Sequence, residues 1–302
     1  MSSCTNPLLA VRLYGPGIGK QSIKILPRRE GQSIEEVYAR YGQDNILELP
    51  CGRCPACISN KKKEWAVRCC LEAAAHKDNC FVTLTYADEF YDDLAHREHL
   101  REFFKSLYRK DIKFRYYGCS ERGDELGRIH YHLIMFGFFP SDAKPWMKSK
   151  SGFMQYRSKL LDSCWTYGLV VVSEFSPAEA SYVTGYVNKK MISKDPEMFH
   201  FQSTRPGIGQ SYVLKHAQDI YETDNLVLNF GSHRYGVPRY FDKVVQSYYS
   251  MDLSDIKKKR LELASIQSNQ MQQDYGLDCR FKLLSYLESI NKDKFHVKKR
   301  RF

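Results

Sequence analysis

The chain has 302 residues, 43% of them hydrophobic, and carries 46 Lys and Arg against 35 Asp and Glu, a formal net charge of +11. A globular core is supported. A membrane span is excluded by the lack of any run near the roughly 18 consecutive apolar residues it needs, and the basic excess points to a polyanionic partner. The N-terminus lacks a basic stretch followed by a long apolar one, so no export signal is evident, and the ten cysteines are expected as metal ligands or buried thiols rather than a disulfide framework.

In chain order, residues 33–40 read as a short helix. The stretch CGRCPAC follows, a C-x2-C-x2-C run of Cys51, Cys54 and Cys57. A helix is expected from about residue 60 to 76, with Cys69 or Cys70 across it. A fourth thiolate from Cys69 would close a structural zinc site. The same spacing occurs in iron–sulfur ligation, and three unliganded thiols in a turn are a further alternative. Cys4, Cys80, Cys119, Cys164 and Cys279 read as packing residues.

The middle of the chain alternates clearly. Residues 80–86 are β-branched and aromatic, a strand. Residues 99–110 place apolar side chains at 100, 103, 104 and 107, a helical stripe. A strand at 112–121, a glycine-containing turn at 122–128 and a strand at 129–139 come next. A helix at 156–168, a strand at 169–175 and a helix at 176–191 complete the series. Ser176, Pro177 and Glu179 form the start signal of the last helix. The order β-α-β-β-α-β-α predicts an α+β fold. It is a split β-α-β core with a largely antiparallel sheet and helices on one face. A mostly helical C-terminal extension follows a loop-like block at 203–212. The expected divisions are an N-terminal segment with the Cys cluster (1–78), a core (79–191) and the extension (192–302), which ends in a basic tail.

Two histidines stand out in GRIHYHLIMFG. On a strand, His130 and His132 point to one face, and Tyr131 and Leu133 to the other. The two imidazoles are then neighbours, suited to hold one cation or to make hydrogen bonds on a half-buried strand. Strands 112–121 and 129–139 make a natural hairpin. Glu121, opposite or diagonal to His130, would complete a set of two imidazoles and a carboxylate. Such a set can hold Mg²⁺ or Mn²⁺ against a phosphate oxygen.

In SYVTGYVNKK, Tyr182 and Tyr186 lie about one helical turn apart on one face, with Lys189 near that face. Either this is an aromatic stripe packed in the core, or the hydroxyls are nucleophiles. Attack on a phosphodiester would give a phosphotyrosine, with the lysine offsetting negative charge. Gly185 between them marks a close approach by something, whether substrate or a packed neighbour.

Together FVTLTY, HYH and YVTGYVNKK resemble, in order, the three motifs of the His-hydrophobic-His superfamily of replication and relaxase endonucleases. The blocks PCGRCPACISNKKKEWAVRC, STRPGIG and VPRYFDK narrow the resemblance to the replication initiation proteins of gokushovirus-type microviruses, over about residues 50–245. What the resemblance implies is a rolling-circle initiator in the cytoplasm of a bacterial host. Such an initiator nicks single-stranded origin DNA through a tyrosine, leaves a 3′ hydroxyl for a host polymerase, and rejoins the released strand, with a host helicase as a further partner. It implies metal ligands at His130 and His132 and nucleophiles at Tyr182 and Tyr186. Glu121 matches the family's acid, although SERG stands here where relatives have a GEYG-like block.

The alternative is a basic, zinc-containing nucleic-acid-binding regulator without catalysis, in which the same histidines and tyrosines stack on bases or fill the core. Under either reading, affinity for single-stranded DNA should fall steeply between low and physiological salt, because neutralised phosphates release counterions. A binding isotherm series across salt concentrations checks this, and a flat response would remove the electrostatic argument.

Overall fold

Apolar side chains at every second position, as at Cys80, Val82 and Leu84, suit a strand that buries one face, and the chain uses them to build a seven-stranded sheet. The structure, a computed structural model, describes residues 4, 7–13, 22–26, 34–42, 45–123, 126–149, 152–193, 195–222, 227–230 and 233–274. Its elements in order are β1 (Leu8–Leu13), β2 (Ser22–Ile25), α1 (Ile34–Tyr41), β3 (Ile46–Leu49), α2 (Pro55–Ala74), β4 (Asn79–Thr85), α3 (Arg97–Arg109), β5 (Arg115–Arg122), β6 (Ile129–Phe136), β7 (Lys144–Lys148), β8 (Met154–Arg157), α4 (Lys159–Cys164), β9 (Val170–Glu174), α5 (Pro177–Ser193), β10 (His200–Gln202), α6 (Gln210–Lys215), α7 (Ala217–Glu222), β11 (Val227–Phe230), β12 (His233–Gly236), α8 (Arg239–Tyr249) and α9 (Ser254–Asp274). Residues 1–60 with 257–302 form one compact unit and residues 61–256 another. Among the described residues no helix is long and apolar enough to cross a membrane.

The first unit contains an antiparallel sheet of order β2-β1-β3. Ala10 and Val11 are buried there, as is Val37 of α1.

In the second unit the strands run β10-β5-β6-β4-β9-β8-β7, each antiparallel to its neighbour. The split arrangement is present twice. β6 lies between β4 and β5, the strands joined through α3, and β4 lies between β6 and β9, joined through α4. On one face α3 and α4 bury Leu100, Phe103, Leu107 and Leu161 against Val82, Leu84, Tyr131, Leu133 and Val172. Each such side chain contributes about 1.5–3 kcal/mol when fully buried.

The expectation of helices on one face is corrected by α2 and α5, which cover the other. Cys69, Cys70, Ala73, Ala180 and Val183 pack there against Tyr117, Cys119, Ile134 and Phe136. The reason lies in those last residues: the second face of the sheet is apolar at its far end and has to be covered.

Local readings also shift. The helix expected at 156–168 is shortened to α4, because Tyr156 is taken by pairing with Val172 as part of β8. Ser158 then caps the helix, its Oγ accepting from Leu161 N at 3.2 Å. The loop-like block at 203–212 runs into α6, and the β11–β12 hairpin interrupts the helical extension. At 176–193 the start signal is realised: Ala178 N donates to Ser176 Oγ at 3.2 Å, and the Ser176 hydroxyl donates to Glu179.

The STRPGIG and VPRYFDK blocks turn out to hold this unit together. Glu72 on α2 is 1% exposed. Its carboxylate accepts from Arg115 on β5 and from the Gly209 amide, the latter at 2.6 Å. Arg68, one turn before, lies between the rings of Trp65 and Tyr240 at 3.9 and 3.8 Å and donates to Ile208 O at 3.1 Å. A buried carboxylate is tolerated only with such partners. Gly209 has φ +79°, and a Cβ there would meet Phe241 Cζ at 2.8 Å and Arg68 O at 2.9 Å.

Gly209→Ala should therefore cost about 1–2 kcal/mol for the left-handed backbone plus about 1–3 kcal/mol for overlap. Gly152, also left-handed at φ +87° but facing open space, should lose only the first part on change to Ala. Denaturant midpoints of the two variants measure the difference, and equal losses would contradict the packing described.

Candidate active site

The β5–β6 hairpin decides where the histidines stand. Its register sets Glu121 opposite His130 and Cys119 opposite His132. On the other side of β6, Thr83 pairs with His132 and Thr85 with His130. Facing partners in an antiparallel ladder share a side of the sheet, so Glu121, His130, His132 and Thr83 converge on the face that carries α5. The intervening Tyr131 points the other way. It is fully buried, with its hydroxyl 3.0 Å from Tyr86 Oη and donating to His96 O at 3.2 Å.

The convergence is tight. His132 Nε2 lies 3.1 Å and His130 Nε2 3.6 Å from Glu121 Oε2, and the two Nε2 atoms are 3.0 Å apart. The other ring nitrogens are anchored from behind. His130 Nδ1 is 3.2 Å from the Arg128 carbonyl, which can only accept, and His132 Nδ1 is 3.1 Å from Thr83 Oγ1. A proton held on Nδ1 leaves Nε2 with its lone pair, the usual preparation of a ligating imidazole. Two such nitrogens and a carboxylate oxygen can crowd this closely only around a shared proton or a cation. These three residues, with ligand atoms all within 4.8 Å of one another, could hold a metal ion.

Glu121 is 2% exposed. Burial pushes its carboxyl pKa up, but the imidazoles of His130 and His132 outweigh that and hold it at about 2. It is therefore an anionic ligand across the whole neutral range. Its neighbours in SERG face away from the site. Ser120 donates to Glu197 O at 2.6 Å, and Arg122 pairs with Asp93 and with Asp195, the latter at 2.8 Å. The replacements relative to the family block therefore serve the contact with residues 195–199 and leave the carboxylate in place.

α5 brings the first tyrosine to the same place. Ala180, Val183 and Thr184 are buried on one side of the helix. Tyr182 emerges beside them, 43% exposed. Its ring stands edge-on to His132 at 5.3 Å and to Phe81 at 6.3 Å. Phe81 stacks on the His132 ring at 5.3 Å, so His132 is fixed on three sides. Tyr186 and Lys189 lie on α5 as well, but their side chains fall outside the described residues.

Three residues escaped the sequence reading. Thr83 and Phe81 could have been found by extending the strand alternation across β4 to β6. Lys62 could not: it arrives from α2, with Nζ 3.1 Å from where a Cβ on Gly185 would sit. The close approach marked by Gly185 is thus made by a lysine stem.

The cysteine cluster needs one correction. Cys51, Cys54 and Cys57 do come together, but their fourth neighbour is Cys4, which had been read as packing. Cys69 cannot join them. It follows Cys57 on the same helix by twelve residues (69 − 57), about 18 Å along the axis, and is fully buried against the sheet. Cys70 belongs to that same buried cluster.

Residues 79–191 match the family described as replication-associated protein ORF2. The chain is similar to replication-associated protein ORF2 of Spiroplasma virus 4, 32% identical over 239 residues, which cover 72% of this chain and 74% of that one. It is similar to replication-associated protein ORF4 of Chlamydia phage 1, 32% identical over 264 residues, which cover 79% of this chain and 65% of the phage protein's length. Replication-associated protein VP4 of Bdellovibrio phage phiMH2K is 29% identical over 249 residues, 75% of this chain and 78% of that one. No solved structure matches. With similarity of this extent to three phage proteins of one kind, the chain belongs to the family of replication-associated proteins of microviruses.

Proposed function

We propose that this protein starts rolling-circle replication. It nicks single-stranded origin DNA, keeps the 5′ end on a tyrosine, and rejoins the strand released after a round of synthesis. The observation that carries this reading is Tyr182, an exposed phenol packed against His132 beside three converging ligand atoms. A tyrosine of the core would be buried, and a surface that merely binds nucleic acid has no use for a carboxylate and two imidazoles drawn together beside it.

In this reading Tyr182 Oη attacks the phosphorus of a phosphodiester. The Oη–P bond forms as the P–O3′ bond breaks. The phenolic proton passes to water, and the departing oxygen takes up a proton to become the 3′ hydroxyl that a host polymerase extends. Glu121, His130 and His132 would hold the Mg²⁺ or Mn²⁺ whose charge stabilises the phosphate oxygens in such a displacement. Lys62 and Lys189 supply further positive charge along α5. Each transfer exchanges one phosphate ester for another, so rejoining needs no nucleotide: a 3′ hydroxyl attacks the tyrosyl phosphate, restoring the diester and freeing the phenol. Tyr186, one turn along, serves the second transfer, which closes the released strand into a circle. The work is done in the cytoplasm of a bacterial host, with a host helicase as a further partner.

Incubation with single-stranded origin DNA and Mn²⁺, followed by a denaturing gel, should yield a covalent protein–DNA band that maps to a tyrosine of α5. Tyr182→Phe and Tyr186→Phe should each retain an adduct through the remaining tyrosine but fail to complete circles. The double variant should bind DNA and form no adduct. An adduct in the double variant would end the tyrosine mechanism. Binding without any adduct in the wild type would favour a non-catalytic regulator.

Thr83→Val keeps the shape of the side chain but removes the partner of His132 Nδ1. Loss of such an outer partner costs about 10–100-fold in metal affinity, so the Mn²⁺ concentration for half-maximal cleavage should rise by about that factor. An unchanged metal requirement would remove Thr83 from the site.

A further inference from the structure

Cys4 lies 47 residues before Cys51 in the sequence, yet strand pairing brings them together. β1 and β3 pair with Leu8 opposite Leu49 and Leu9 opposite Glu48, so paired residue numbers sum to 57. Continued past the end of the ladder, that register sets residue 4 opposite residue 53, in the middle of the C-x2-C turn. Gly52, at φ +73°, lets the backbone double back there, and Cys57 enters on the first turn of α2.

The four sulfurs lie within 4.8 Å of one another, with Cys51 Sγ to Cys57 Sγ and Cys54 Sγ to Cys4 Sγ both 3.9 Å. A tetrahedral zinc site with Zn–S bonds of about 2.3 Å has sulfur–sulfur edges of about 3.8 Å. A disulfide would need about 2.05 Å, and all four residues are free thiols. Backbone amides point at the sulfurs as they do at bound thiolates. Cys51 N donates to Cys4 Sγ at 3.3 Å, Cys54 N to Cys51 Sγ at 3.3 Å, Arg53 N to Cys51 Sγ at 3.5 Å and Cys57 N to Cys54 Sγ at 3.5 Å. An iron–sulfur cluster needs room for a multi-iron core between its cysteines, whereas this spacing has room for one ion.

We propose that Cys4, Cys51, Cys54 and Cys57 form a closed, structural zinc site that fastens the residue before β1 to the turn before α2. With four protein ligands it keeps no open position, so it takes no part in the chemistry at Glu121, His130 and His132. Its sulfur ligands also select a softer ion than the oxygen and nitrogen set would.

The full-length protein, purified under reducing conditions without chelator, should carry one thiolate-bound zinc. Replacement by Co²⁺ should give the thiolate-to-cobalt charge-transfer band and the visible bands of a tetrahedral site. Cys4→Ser should weaken Zn²⁺ binding by more than the roughly 10–100-fold expected for an outer partner, and Cys69→Ala should leave the cobalt spectrum unchanged. On the wild-type protein, which needs no variant to fold, alkylation mapped by mass spectrometry should spare Cys4, Cys51, Cys54 and Cys57 until a zinc chelator is added. A cobalt spectrum without the sulfur band would overturn the proposal. So would full affinity in Cys4→Ser, iron with labile sulfide in the purified protein, or equal alkylation of these thiols with and without chelator.

Discussion

The site rests on one register. Three antiparallel strands, β5, β6 and β4, must pair so that Glu121 faces His130 and Thr83 faces His132. Side chains alternate along a strand, so a slip of one residue on β6 would turn both imidazoles to the opposite side and Tyr131 and Leu133 to this one. The register is protected by burial on the far face. Tyr131, Leu133 and Met135 fill the core under α3 and α4, and a slip would expose them. The stability of one side of the sheet thus guarantees the chemistry of the other.

The second face has two kinds of ground. At one end it is apolar and sealed by α2 and α5. At the other it is polar, with Glu121 and His132 buried but joined to each other and to Thr83. A carboxylate and two imidazoles at this depth are costly to leave without charge partners, and the price is met by mutual contact. α5 spans the two ends, buried through Ala180 and Val183 and presenting Tyr182 over the histidines. The helix therefore positions a candidate nucleophile by the same packing that closes the core.

A separate buried knot ties α2 to the C-terminal half of that unit. Glu72 joins Arg115 and the Gly209 amide, and Arg68 lies between Trp65 and Tyr240. The glycines of STRPGIG are needed because the aromatic rings of VPRYFDK press directly on their backbone. Two blocks far apart in the chain are thus halves of one packed joint. That explains their residue types without any role in catalysis.

Local sequence determined a good deal of this protein. Period-2 and period-3.6 patterns placed β4, α3, β5, β6, β9 and α5, because those elements bury faces whose spacing is written in neighbouring residues. The same alternation put His130 and His132 side by side and made Glu121 their natural companion. Tertiary structure decided what periodicity cannot encode. β10 is three residues long and exists because β5 offers it an edge, and β8 took residues from an expected helix because β9 offered a partner. Lys62 reached Gly185, and Cys4 displaced Cys69 in the sulfur cluster. Each of these depends on a contact between residues distant along the chain. Local propensity carries no record of such contacts, because the free energy that selects them appears only when the surfaces meet.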